Sequence, residues 1–159
     1  MKYEIRKTTI EDMKMVEDAH RRSIIELCSK DYSKEQIKSY SNVNYSKEVW
    51  NESVTKDFHE IVITNGKVEG FCHSRIKENG DGEILGLYLT QTVSNKGIGR
   101  ELVQRAIIKL IDVNIKKITL TANKTAKEFY VKMGFNLITE SEIKIRGVIL
   151  ECFRMEMYL

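Results

Sequence analysis

Glu83-Ile84-Leu85-Gly86-Leu87-Tyr88-Leu89, followed four residues on by Ser94-Asn95-Lys96-Gly97-Ile98-Gly99-Arg100, is the stretch that decides the fold. An apolar strand feeds a loop, and two glycines sit where the loop enters a helix. From Gly97 to Ile111 the pattern is amphipathic. Ile98, Leu102, Val103, Ala106, Ile107, Leu110 and Ile111 share one stripe, while Arg100, Glu101, Arg105 and Lys109 take the other face. The first amides of such a helix have no intrahelical acceptor, and its dipole adds partial positive charge there. Glycine lets a bulky anion approach the backbone, so the segment reads as a pyrophosphate cradle with Lys96 and Arg100 adding charge at its edge. A Walker loop needs GxxxxGK[ST], which is absent. A Rossmann fingerprint at Gly97-Ile98-Gly99-Arg100-Glu101-Leu102 lacks its third glycine, and the next strand ends at Ala122-Asn123 without the acidic ribose ligand. Coenzyme A is the third reading. Both glycines would also serve a plain strand-to-helix turn.

Outward from this stretch, the chain mixes the two periods. Tyr3 to Lys7 alternates like a strand, and Thr9 with Asp12 opens a helix whose apolar positions run to Cys28. Ser33 and Ser46 each cap a further short helix. His59 to Thr64 and Val68 to Ile76 form a hairpin about Asn65-Gly66, a type I′ signal. After the Asn79-Gly80-Asp81-Gly82 turn comes the strand Glu83 to Leu89. Lys117 to Ala122 is a strand and Thr125 to Lys132 a helix ended by Gly134, and Phe135 to Leu159 holds two more strands. The β-α-β crossover from Glu83 to Ala122 makes the class α/β or α+β.

Composition narrows the function classes. The 159 residues, 42% hydrophobic and 31% charged, suit one domain over 1–159 with a buried core. No apolar run reaches membrane-spanning length, and no apolar leader follows Met1. Twenty-six Lys and Arg against 23 Asp and Glu, scattered along the chain, argue against a nucleic-acid protein. The three cysteines, Cys28, Cys72 and Cys152, form no CxxC pair and read as reduced thiols of a cytoplasmic protein. His20, His59 and His73 have no metal-ligand spacing, so no metal is expected and structural or surface roles are their default.

From Glu83 to Arg100, and again from Asn123 to Phe135, the chain resembles the GNAT superfamily of acetyl-CoA-dependent N-acyltransferases. Its loop pattern Q/R-x-x-G-x-G/A is met by Ser94-x-x-Gly97-x-Gly99. Its later pattern N-x-x-A-x-x-x-Y-x-x-x-G-F is met by Asn123, Ala126, Tyr130, Gly134 and Phe135. Ser94 in place of Gln or Arg removes a long donor near the phosphates and weakens the expected cofactor affinity. The resemblance implies a mixed, mostly antiparallel central sheet with a splayed parallel pair of strands, flanked by helices. It also implies acetyl transfer by direct attack in a ternary complex, with acetyl-CoA as co-substrate and an amine of a small molecule or peptide as acceptor. A homodimer is compatible with it.

Residue by residue, the resemblance implies that Leu87, Tyr88 and Leu89 bond the pantetheine arm through their backbone. The amides of Asn95, Lys96, Gly97, Ile98, Gly99 and Arg100 would hold the pyrophosphate, and Asn123 would meet the arm where the strands part. An amine of pKa about 10.4 must lose a proton before attack, and the departing thiolate must gain one. Tyr130 matches the proton donor. Glu83 is the candidate base, directly or through a water chain, and a backbone N–H near Leu89 would stabilise the oxyanion. The acceptor groove would draw on His20, Arg21, Arg22, Ser23, Gln36, Tyr40 and Trp50. A non-catalytic acetyl-CoA sensor or scaffold is the alternative; keeping both Tyr130 and Asn123 favours the enzyme.

Overall fold

The computed structural model describes residues 1–159. One seven-stranded sheet runs in the order β1-β2-β3-β4-β5-β7-β6. The strands are β1 (Glu4–Lys7), β2 (Phe58–Thr64), β3 (Lys67–Ile76), β4 (Gly82–Leu89), β5 (Lys117–Asn123), β6 (Asn136–Ile145) and β7 (Val148–Tyr158). All neighbours are antiparallel except β4 and β5, as the resemblance implied. Asn65 and Gly66, with φ of +51° and +72°, make the expected two-residue hairpin turn.

Five helices cover the sheet. On one face lie α1 (Met13–Ser23), which continues as a π-helical turn at Ile24–Cys28, then α2 (Lys34–Tyr40) and α3 (Lys47–Lys56). Val16, Ala19, Trp50 and Val54 pack there on Ile61, Val68 and Phe71. On the other face α4 (Ile98–Asp112) and α5 (Lys127–Met133) pack on Val62, Cys72, Ile84, Ile118 and Leu120. Consecutive residues of β2 and β3 are buried nearly without interruption, because successive side chains enter cores on opposite faces. The α4 stripe holds for Ile98, Leu102, Val103, Ala106 and Leu110, but Ile111 is exposed. The last helix starts two residues later than the sequence suggests, since Asn123 and the turn that follows it cap it from outside.

Two buried carboxylates lock helices to strands. Glu60 on β2 receives Arg105 at 2.8 Å and Lys109 at 2.8 Å from α4. Glu69 is the extra residue of a bulge in β3, where Val62 pairs Gly70 and Ile63 pairs Val68. It accepts from Arg22 of α1 at 2.8 Å and from the Thr90 hydroxyl at the end of β4. Both ends of the segment that contains the Ser94–Arg100 loop are thus tied down.

At the chain's start, Arg6 grips Asp12 with two bonds of 2.7 and 2.9 Å, and the Thr9 amide donates to Asp12 at 2.8 Å. The Arg6 bonds hold the Asp12 carboxyl down at about 2, against the opposing effect of burial. An unfolded aspartate titrates near about 3.9, so the unfolded chain binds the extra proton first as pH falls. The stabilisation is present above about pH 4 and is lost as pH drops toward 2. Asp12→Asn is expected to cost roughly 1–2 kcal/mol at pH 7. Urea midpoints should show the gap between wild type and variant shrinking by pH 3; a constant gap would contradict the assignment.

Candidate active site

The site begins with a break in the sheet. Strands β4 and β5 pair only at Gly82–Ile118, Glu83–Thr119 and Ile84–Leu120. Next to this point β4 carries a bulge: Ile84 pairs Ser74 and Gly86 pairs His73, so Leu85 is the extra residue. A bulge bends its strand. Beyond Ile84 the edge of β4 that faced β5 is open from Leu85 to Leu89, whereas its other edge stays paired to β3.

The Ser94–Arg100 loop closes one end of this opening. Asn95 and Gly97 both adopt positive φ, +57° and +81°, and a Cβ on Gly97 would meet nothing within 4 Å. The first bond of the α4 ladder runs from the Glu101 amide to the Gly97 carbonyl, 3.1 Å. The amides of Ile98, Gly99 and Arg100 precede it, and those of Asn95, Lys96 and Gly97 bond no backbone acceptor either. Gly99 is packed differently: a Cβ there would sit 3.1 Å from Leu89 and 3.6 Å from Phe129.

A cavity of about 320 Å³ extends from this row of amides along β4. Its walls include Leu87, Tyr88 and Leu89 on one side and Asn123, Ala126 and Phe129 on the other. The π-helical turn brings Leu27 and Cys28 to its roof. An apolar slot with free strand amides along it and a ring of helix-start amides at its mouth fits the arm and the pyrophosphate of acetyl-CoA. Of the two expected cations, Arg100 lines the mouth but Lys96 does not, because its ammonium bonds the Thr92 carbonyl at 2.6 Å. Lys132 of α5 lines the cavity instead, a residue that sequence reasoning missed because only the docking of α5 brings it there. Ile98 points its side chain into the core and offers only its amide.

At the parting of the strands, Asn123 works with both ends of its amide. Oδ1 accepts from the Ala126 amide at 2.8 Å, and Nδ2 donates to the Tyr40 hydroxyl at 3.2 Å. Tyr40 in turn shares a 2.9 Å hydrogen bond with Tyr88. Past this cluster lies a second cavity of about 490 Å³, which shares Tyr88 and Asn123 with the first. Tyr32, Tyr40, Tyr45, His20, Arg146 and Glu151 contribute to its walls. Of the expected groove residues, His20 and Tyr40 line it, Trp50 lines a neighbouring pocket and Ser23 lines the first cavity. Arg21, Arg22 and Gln36 are instead spent on the Val43, Val68 and Ile149 carbonyls.

Tyr130 lines neither cavity; it is buried in the adjoining core, edge-on to Phe129 and Phe135 at 5.2 and 5.6 Å. Burial, with Cys72 and Tyr40 adding to it, raises its phenol well above the usual range. Its hydroxyl makes no hydrogen bond to protein. It is also not among the sealed, unpartnered polar atoms, which are His20 Nε2, Asn51 Oδ1 and Ser74 Oγ. Glu83 lines neither cavity and pairs with Arg75 at 2.8 Å, one bulge away from the open edge.

A family profile described as an acetyltransferase (GNAT) domain matches residues 28–159. The spermidine N(1)-acetyltransferase of Thermoplasma acidophilum is 31% identical over 146 residues, 86% of this chain and 90% of that protein. An uncharacterized N-acetyltransferase of Escherichia coli, YafP, is 25% identical over 126 residues, 79% of this chain and 76% of that protein. The crystal structure of PaiA N-acetyltransferase from Thermoplasma acidophilum in complex with coenzyme A superposes with a TM-score of 0.79 at 26% identity, covering 100% of both chains. A GCN5-related N-acetyltransferase from Rhodopseudomonas palustris shares the fold, with a TM-score of 0.87 at 21% identity over 100% of this chain and 97% of that one. The free amides, the open strand edge and these likenesses agree: the chain belongs to the GNAT acetyltransferase family and is an acetyl-CoA-dependent N-acetyltransferase.

Proposed function

We propose that the protein acetylates a primary amine seated in the 490 Å³ cavity, with Tyr130 as general acid and Glu83 receiving the amine's proton through an intermediary. The observation that carries this reading is the row of unbonded amides from Asn95 to Arg100 at the mouth of a slot that follows the open edge of β4. Acetyl-CoA, when bound, supplies the acetyl group as a thioester. The amides of Asn95, Lys96, Gly97, Ile98, Gly99 and Arg100 hold its pyrophosphate, flanked by the Arg100 and Lys132 side chains. Leu87, Tyr88 and Leu89 hold its arm by strand addition, and Asn123 marks where the arm ends.

The acid must stay protonated until the thiolate forms. Burial raises Tyr130, and it raises a thiol for the same reason, as it does Cys72, pushed up to about 12. Both conjugate bases are anions, so the gap that the proton has to cross does not widen with desolvation. For the base, Glu83 is held by Arg75 away from both cavities, which supports transfer through a further group rather than direct contact.

For the acceptor, four tyrosines give the cavity aromatic walls, and Glu151 sits at its rim. A neighbouring cleft adds Glu140 and Glu142. Acids beyond an aromatic channel suit an amine that carries a second positive charge. The spermidine acetyltransferase relative supports polyamines as the first acceptors to try, ahead of amino acids and peptide amines. Residues 1–159 act as one domain in this reading, and three free, buried thiols support a reducing cytoplasm. A homodimer would form on the open edge of β6, which is exposed almost throughout.

Gly99→Glu is expected to abolish acetyl-CoA binding by calorimetry while the circular dichroism stays native; unchanged affinity would sink the placement. Acetyl-CoA at a hundred times its Kd should stabilise wild type by about 2.7 kcal/mol.

Tyr130→Phe keeps the ring and loses the proton. Thiol release with a panel of spermidine, 1,4-diaminobutane, lysine and a peptide amine should show turnover down roughly a hundredfold at unchanged acetyl-CoA affinity. Turnover within about threefold of wild type would remove Tyr130 from the mechanism.

Glu83→Gln should lower turnover less steeply and alter the acid side of the pH–rate profile, with cofactor affinity untouched. A profile identical to wild type would make the Arg75 pair purely structural.

A further inference from the structure

All three histidines of the chain meet in one place. A pocket of about 180 Å³ on the α1–α3 face is lined by His20, His59 and His73 together with Trp50 and Phe71. It adjoins the proposed acceptor cavity: His20, Tyr45, Leu85 and Tyr88 belong to the walls of both. The histidines lie far apart in sequence, and none has metal-ligand company.

Their hydrogen bonds differ in a way that separates their roles. The His59 Nδ1 shares a 2.7 Å bond with the Thr8 hydroxyl, and that ring is buried. The His20 Nδ1 shares a 2.7 Å bond with the Tyr45 hydroxyl, and its Nε2 is sealed without a partner. Only His73 has a carboxylate: its Nε2 lies 2.7 Å from Asp57 Oδ2 at the end of α3. An ionised carboxylate fixes the ring proton on Nε2 and leaves the Nδ1 lone pair free. That Nδ1 has no protein partner and is not among the sealed atoms. His73 is therefore a ring oriented by a carboxylate in a pocket that adjoins the proposed acceptor cavity. In register it faces Gly86, just past the bulge that opens the active site.

We propose that His73, positioned by Asp57, takes the proton from the acceptor ammonium and is the intermediary between that amine and Glu83. The proposal rests on the acceptor lying at Tyr88, as proposed above. The step balances simply. The ammonium N–H bond breaks as the Nδ1–H bond forms, giving a neutral amine and an imidazolium beside Asp57. The imidazolium then passes that proton to the Glu83 carboxylate, which gives it up to water. The second amine proton, lost as the C–N bond forms and the C–S bond breaks, restores the Tyr130 phenol that protonated the thiolate.

Every charged or titratable neighbour of His73 has a stated sense. Burial lowers its pKa most, and Arg75 on the same strand lowers it further; Asp57 from α3 and Glu83 from β4 raise it. The net result lies below the ordinary value, so the ring is neutral and able to accept near pH 7. His59 on β2, with its ring centroid 4.9 Å away, is itself lowered to about 3, and His20 across the pocket to about 3, so neither competes as a cation.

The test combines kinetics with imidazole NMR on the full chain, which has only these three rings to assign. His73→Gln is expected to cut kcat/KM by about a hundredfold with any panel amine that wild type accepts, at unchanged acetyl-CoA affinity. Asp57→Asn, which keeps the ring and its packing, should move the acid limb of the pH profile to lower pH. It should lower the His73 titration midpoint by NMR in parallel; a merely structural contact would lower that midpoint and leave the pH profile where it is. In wild type the NMR should find the proton on Nε2. A His73→Gln profile within about threefold of wild type between about pH 5 and 9, or a ring protonated on Nδ1, overturns the proposal. Wild type silent toward every panel amine overturns the proposed acceptor class, whereas an active wild type with unaffected variants overturns His73 alone.

Discussion

A single extra residue, Leu85, governs the architecture of the site. Opposite it the β3 strand advances one residue while β4 advances two, so β4 bends just after its last bond to β5. A sheet interior normally satisfies both edges of every strand. Here the interior strand keeps one edge bonded and presents the other to a cavity. Backbone donors and acceptors between Leu85 and Leu89 then become a binding surface that no side-chain change can remove. The gap is kept from collapsing by groups that span it. Tyr32 accepts from the Lys124 amide and donates to the Glu151 carbonyl, and Thr125 donates to Asp31. Together they hold the α1–α2 segment across the β5–α5 junction.

The cradle depends on anchoring as much as on its own glycines. Free amides bind an anion only if their geometry is fixed before the ligand arrives. Glu69, buried between Arg22 and Thr90, fastens the end of β4 to α1, and Glu60 fastens α4 to β2 through Arg105 and Lys109. Removing the cations from either carboxylate would leave a buried charge uncompensated. The loop itself carries little side-chain machinery. Lys96 closes back on Thr92, Ser94 bonds the Gln91 carbonyl, and recognition falls to backbone, Arg100 and Lys132.

Features set by local backbone chemistry were legible in the sequence. Gly97 and Gly134 adopt the left-handed conformations their placement demanded, and the Asn65-Gly66 turn and the Ser33 and Ser46 caps form as read. The α4 stripe, Ile111 apart, followed from period, and the parallel β4–β5 pair from the family resemblance. What escaped was set by tertiary approach. The bulges at Leu85 and Glu69 leave no mark in composition, because either residue also fits a regular strand. Lys132 replaces Lys96 at the mouth only through the angle at which α5 docks. Glu83, read as the base from its place on β4, is engaged by Arg75 on the adjacent strand, a pairing that register alone decides. Likewise, His20, His59 and His73 sit on α1, β2 and β3, so nothing in their spacing announces one pocket.

The two groups proposed to move protons lie on opposite faces of the sheet, and one physical effect acts on both. Tyr130 packs into the core under α4 and α5, while His73 lines the pocket under α1 and α3, with β4 between them. Desolvation favours the neutral form of every ionisable group. For a phenol the neutral form is the proton-loaded one, so burial keeps Tyr130 protonated. For an imidazole the neutral form is the proton-free one, so the same burial keeps His73 a base. An exposed pair with ordinary values would have the histidine partly charged near neutrality, repelling the ammonium it must serve. In the proposed mechanism the low-dielectric walls would set the direction of proton flow, from ammonium toward the imidazole on one face and from phenol toward thiolate on the other. Asp57 limits how far the imidazole is pushed, offsetting part of the desolvation. The dyad is therefore a compromise between availability and strength, reached by placing one carboxylate on one ring nitrogen of an otherwise apolar aromatic pocket.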